Sequence, residues 1–233
     1  MSEQDLAIRA RLPAAVYDLA IRSGATLEAP GGGVRLTQTG RMKPRLGSRT
    51  WLPFTATQTI STRACDFDWR ATFGPLGVIR VRDALCRGEG RLDVRALGIL
   101  PIAHVASTPA LARGELMRYL AELPWVPDAI FHNEGLRWRD DGGGLLTVSA
   151  GEGVTAASVR LNLDGQGRIA GAFAPDRPRS VGKTGVPTAW TGRFSDYRRH
   201  EGRWIPFAGE VAWDVDGVPE VYWQGDVRSW TRV

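Results

Sequence analysis

Glu115, Arg118 and Glu122 stand at i, i+3 and i+7 in one stretch of the chain. On an α-helix these positions share a face, so the arginine can pair with both carboxylates. Facing solvent, each such pair contributes only about 0.3–0.5 kcal/mol. Facing a cavity, the trio is a polar network beside apolar space and can orient a polar or anionic ligand head. Asp83 is the second candidate. It shares strand parity with Ile79, Val81 and Leu85, so it points where apolar residues point and needs a partner such as Arg118. Burial would raise the pKa of such an acid, and an arginine would lower it. His132 follows Ile130 and Phe131. Together with Asp83, Glu122 and Tyr119 it makes up the set from which an acid/base site could be built.

Other chemistries lack their residues. No Gly-x-Ser-x-Gly elbow is present. Gly31–Gly33 and Gly142–Gly144 are not followed by the Lys-Ser/Thr of a phosphate loop, and Gly182-Lys183-Thr184 lacks the upstream glycine. Cys65, Cys86, His104, His132 and His200 match no metal-ligand spacing, so neither metal nor cofactor is expected and the two cysteines read as free thiols. The formal charge is +5, but basic residues alternate with acids, as in Arg80, Arg82, Asp83 and in Arg91, Asp93, Arg95. Nucleic-acid binding wants clustered cations with interleaved aromatics, so it is not expected.

The elements that must position these residues are mostly strands. The exception is the segment 108–123, with Thr108 as N-cap, Pro109 at the first helical position and Pro124 as the stop. Leu111, Ala112, Leu116, Leu120 and Leu123 form its apolar stripe, and Gly114 fits either close approach to a strand or neutral drift. A first, short helix is expected over 12–23. Cys65, Phe67, Trp69, Ala71 and Phe73 alternate with polar residues, which is the clearest strand signal in the chain. Glycine-rich turns at 140–144, 164–167, 201–202 and 216–217 join further strands into hairpins, and 174–185 reads as a polar Pro/Arg loop. These features predict one mainly β (α+β) domain over 1–233, with a helical segment over 1–30. Its core would be an incomplete antiparallel barrel of about ten to twelve strands enclosing the central helix. The nine tryptophans suit such a sheet as core or as cavity walls; Trp69, Trp190, Trp213 and Trp223 fall in long strands.

The run Arg118-Tyr119-Leu120-Ala121-Glu122 with Trp125 and Pro127 resembles the signature of a bacterial family of unknown function. So do Trp51-Leu52-Pro53-Phe54-Thr55-Ala56 and Gly202-Arg203-Trp204-Ile205-Pro206 before Glu210-Val211-Ala212-Trp213. More distantly, the layout is similar to LolA/LolB-type lipoprotein-localisation factors, which are incomplete barrels whose helices plug an apolar, acyl-binding cavity. That resemblance implies a half-barrel with an apolar cavity.

The function expected is non-catalytic binding of a hydrophobic or amphipathic small molecule. Leu116, Leu120, Trp69, Trp125 and Trp213 would form the walls, and Arg118, with Glu115, Glu122, Asp83 and Tyr119, the polar positions. The alternatives are an acid/base enzyme around Glu122, Asp83 and His132, and a structural or protein-interaction module with no ligand. The first ten residues contain acids and no apolar run, and no stretch is long enough to span a membrane. A cytoplasmic location is therefore expected. The sequence leaves the oligomeric state open.

Overall fold

A computed structural model describes residues 3–28, 31–74, 77–96, 100–105, 107–181 and 184–233. Its thirteen strands form one antiparallel sheet. They are β1 (Gly33–Met42), β2 (Leu52–Ser61), β3 (Phe67–Phe73), β4 (Ile79–Cys86), β5 (Glu89–Ala96), β6 (Leu100–Val105), β7 (Arg137–Gly142), β8 (Leu145–Ala150), β9 (Ala157–Leu163), β10 (Ile169–Val181), β11 (Thr184–His200), β12 (Arg203–Val215) and β13 (Val218–Arg232). Their spatial order is β6-β5-β4-β3-β2-β1-β13-β12-β11-β10-β9-β8-β7. Two meanders, β1 to β6 and β7 to β13, are thus joined where β1 pairs with β13, with Val34 opposite Arg232 and Met42 opposite Trp223. The sheet does not close, and β6 and β7 are its edges.

This topology explains the lone central helix. The chain leaves β6 at one edge of the sheet and must reach β7 at the other. It crosses the concave face through α3 (Pro109–Ala121), a 3-10 turn at Leu123–Trp125 and α4 (Ala129–His132). The Thr108 hydroxyl accepts from the Leu111 amide at 3.1 Å and caps α3 as its sequence predicts. Met117, Tyr119 and Leu120 are completely buried beneath the sheet. Gly90 of β5 meets α3 so closely that a Cβ there would lie 2.9 Å from the Ala112 nitrogen. Gly114 does not follow that rule: a Cβ there would find nothing nearer than 3.8 Å, so close approach is not the reason for that glycine.

Three other expectations change. The N-terminal segment holds two helices, α1 (Glu3–Arg11) and α2 (Ala14–Arg22), with Pro13 as the N-cap of the second. In the segment read as a loop over 174–185, residues 174–181 belong to β10 and 184–185 to β11, with Pro178 opposite Pro187 and a register break between Ala174 and Arg177. Prolines are tolerated there because β9 pairs with β10 only as far as Phe173, so the rest of β10 has a single ladder partner. Gly182 and Lys183 lie outside the described residues. Periodicity also missed β6 and α4, each of which is short and lacks clear alternation. Among the described residues no helix is long and apolar enough to cross a membrane.

Candidate ligand cavity and its buried ion network

The strand parity of β3 and β4 turns Trp69 and Asp83, directly opposite each other, toward α3. Arg118 reaches them from the helix. Its Nη1 donates to Asp83 Oδ2 at 2.6 Å and its Nε donates to Glu122 Oε1 at 2.8 Å. Its guanidinium also lies over the Phe67 and Trp69 rings, 4.7 and 5.3 Å from their centroids. The Asp83–Arg118 pair anticipated from parity is therefore present. Glu122 accepts a second bond from Gln58 Nε2, and Gln38 Oε1 accepts from Trp69 Nε1 at 3.0 Å. Burial alone would lower the Arg118 pKa, but Glu122 and then Asp83 outweigh it and hold the guanidinium charged.

Glu115, one turn before Arg118, is buried between Asp83 and Arg177 of β10. Arg177 Nη2 is 4.0 Å from Glu115 Oε2, while Arg177 Nε donates to the Gly114 carbonyl at 3.2 Å. The Arg177 guanidinium stacks over Trp190 and Trp213 at 4.8 and 5.5 Å. Burial pushes the Glu115 carboxyl up to about 8, helped by the charge of Asp83 and a hydrogen bond to it, against the pull of Arg177 and Arg118. Glu115 therefore holds its proton at neutral pH. Among the described residues, Asp83 Oδ1 and Glu115 Oε2 are both buried without a hydrogen-bond partner unless that proton lies between them. Protonation also balances the charge. Arg118 and Arg177 carry two positive charges, and Asp83 and Glu122 then carry two negative ones.

This network forms one wall of a cavity of about 190 Å³ between α3 and the concave face of the sheet. Met42, Val81, Trp125, Phe194, Val211 and Trp223 supply apolar wall, and Asp83, Arg118, Glu122 and Arg177 the ionic one. Trp125 is fixed by its Nε1 bond to the Pro206 carbonyl at 2.9 Å and by Trp230 Nε1 donating to its own carbonyl at 2.8 Å. Arg193 and Glu210 also line it, 3.9 Å apart. The Arg193 side chain is 77% exposed, which places this pair where the cavity meets solvent.

The structure brings together Asp83, Arg118, Glu122, Trp69 and Trp125, and sets Glu115 just behind Asp83. The other residues singled out lie elsewhere. Leu120 is wholly in the core, and Leu116 lines a separate cleft beside Gly151 and Asn133. Trp213 sits behind the wall, stacked on Tyr222 at 6.0 Å. Tyr119 donates to the Ser61 carbonyl at 3.0 Å and accepts from Asn133 Nδ2 at 3.0 Å; burial raises its pKa. His132 Nε2 donates to the Thr26 carbonyl at 2.7 Å. An acid/base site combining His132 with Asp83 and Glu122 is therefore not assembled. Cys65 is half-buried, and desolvation pushes its thiol up to about 11, which makes it a poor nucleophile.

Sequence reading missed Gln38, Gln58 and Arg177. The two glutamines carried a usable signal. Gln58 lies between Ala56 and Ile60 on the inward parity of β2, the same anomaly that marked Asp83. Arg177 lay in the segment whose prolines masked a strand.

Comparison with known proteins agrees with this architecture. A model described as a family of unknown function (DUF6544) matches residues 1–225. Three solved structures share the fold. A DUF1329 family protein from Desulfovibrio piger has a TM-score of 0.53 at 13% identity, over 94% of this chain and 92% of that one. A LolA superfamily protein from Nitrosomonas europaea has 0.51 at 9% identity, over 94% of each chain. A putative outer membrane lipoprotein-sorting protein domain from Vibrio parahaemolyticus has 0.50 at 11% identity, over 99% and 91%. No curated protein matches the sequence.

Proposed function

We propose that this chain, which belongs to the DUF6544 family of unknown function, binds an amphipathic small molecule in the cavity beneath α3. The observation that carries this reading is an apolar-walled cavity kept open beside a buried ion network in which Asp83 and Glu122 already hold Arg118. Arg118 is not free to seat an anionic head, because an incoming anion would have to displace Asp83 or Glu122. The apolar part of the ligand enters first, against Val81, Trp125 and Val211. Its head stays at the solvent end near Arg193. With Glu115 protonated the ionic wall is neutral overall, so an apolar chain meets a closed hydrogen-bonded surface rather than an unpaired charge.

The volume restricts the ligand. About 190 Å³ lies below the ~300–1,000 Å³ of sites that engulf a drug-sized molecule, so one unbranched chain fits and a multi-chain lipid does not. The fold shared with the LolA superfamily protein supports an open half-barrel as a scaffold for such a cavity. Native mass spectrometry of the purified chain titrated with decanoate tests the proposal. One saturable adduct per chain is expected. A chain that takes up no decanoate and carries no co-purified amphiphile would overturn it.

A further inference from the structure

On the outer face of the same strands, a groove of about 790 Å³ crosses β1 to β5. It is built from two rows of residues that face one another in register. One row reads Thr39, Thr55, Thr72, Arg80, Arg95 from β1 to β5. The next reads Thr37, Thr57, Arg70, Arg82, Asp93. Each row therefore places two arginines directly opposite on adjacent strands, an arrangement that destabilises a sheet unless something lies between the charges.

In the second row the neutralising groups are present. Asp68 accepts from Arg70 and Arg82, with Arg82 Nη2 at 2.7 Å, and Asp93 takes Arg91. In the first row they are absent. Arg80 and Arg95 are exposed, and neither has a carboxylate partner among the described residues. Arg228, itself paired with Asp226 at 3.4 Å, borders the groove at the β1 side, its Nε donating to Thr39 Oγ1 at 2.6 Å. Thr55 and Thr72 hydroxyls are already hydrogen-bonded to each other at 2.8 Å, beside Arg80. Two opposed guanidiniums with hydroxyls alongside provide planar donor forks and secondary donors, the set that suits phosphate oxygens. No aromatic side chain lines the groove, so it has no platform for a nucleobase.

We infer that the row Thr55, Thr72, Arg80, Arg95 is a phosphate-binding site on the face of the sheet opposite the cavity. Its ligand is a phosphate group, whether carried by a soluble phosphate compound or by a lipid head. Two titrations of the intact chain at fixed ionic strength test it: one with pyrophosphate, the other with phosphatidylcholine vesicles containing or lacking phosphatidic acid. R80Q/R95Q removes the two charges from an exposed surface without touching the core. Its control, R139Q/R198Q, removes two exposed positive charges elsewhere, each paired with an aspartate.

Saturable pyrophosphate binding, weakened about tenfold or more by R80Q/R95Q and unchanged by the control, is the result expected for a soluble ligand. The same pattern confined to phosphatidic acid vesicles assigns the phosphate to a lipid head and equally supports the site. Binding to neither probe, or equal loss in both double variants, would overturn it.

Discussion

Two buried ion networks of this protein differ in completeness. Asp128, in the connection before α4, receives Arg203 of β12 through both oxygens, with Nη2 at 3.0 Å from Oδ1 and Nε at 3.1 Å from Oδ2. The Thr26 amide adds a third bond to Oδ1 at 2.9 Å. One cation meets one anion there, their side chains are 5% and 1% exposed, and among the described residues neither leaves a buried polar atom without a partner. Around Arg118, by contrast, two arginines meet three carboxyls, and Asp83 Oδ1, Glu115 Oε2 and Gln58 Oε1 lack partners among the described residues. The first network fastens the N-terminal segment to the sheet. The second borders a cavity and is neutral only while Glu115 keeps a proton. Saturation marks structure, and incompleteness beside open space marks the site.

The sharpest way to break the first network is Asp128→Ala. It strands the buried Arg203 guanidinium and is expected to cost ~3–5 kcal/mol, a fall in Tm of roughly 6–20 °C by calorimetry. A loss within 1 kcal/mol would remove the contrast.

The second network is separated from the first by its pH response. Glu115 has a folded pKa of about 8, above the ~4.3 of a free glutamate. Between those values the folded state holds a proton that the unfolded state has released, so stability falls as pH rises and levels off above about 8. The slope is at most about 1.4 kcal/mol per pH unit. Glu115→Gln keeps a donor toward Asp83 and cannot ionise. In urea denaturation its stability relative to the parent chain should rise steadily from pH 5 to pH 8. Parallel curves would show that Glu115 is ionised in the fold.

Smaller effects refine the picture. Trp69→Phe leaves the buried Gln38 Oε1 without its donor and should cost ~1–3 kcal/mol by chemical denaturation. Gly114→Ala has room for its methyl group and should stabilise the protein by ~0.5–1 kcal/mol. A loss of stability there would mean that α3 packs more tightly on Pro178 than the 3.8 Å contact allows.

Much of this was legible in the sequence. Period-two alternation marked β3, glycine turns marked the hairpins, and two prolines with Thr108 bounded α3. Parity also gave Asp83 an inward direction, and helix spacing gave Arg118 its neighbour Glu122. What could not be read was the sorting of α3 residues between cavity, ion network and core. Leu116, Tyr119 and Leu120 were indistinguishable from wall residues because a helix enclosed by a sheet is buried nearly all round. Arg177 stayed hidden because a proline-rich ladder with one partner looks like a loop. The outer arginine row depends on cross-strand register, and no single strand displays it.

We propose that the space beside the Arg118 network receives an apolar chain. Titration with 11-bromoundecanoate tests it directly, because its terminal bromine quenches only tryptophans that it touches. Saturable quenching is predicted from the cavity tryptophans Trp69, Trp125, Trp190 and Trp223, and its loss in Val211→Phe, which fills the space while the fold persists. Quenching that is absent in the parent chain, or equally strong in the filled variant, would contradict the account.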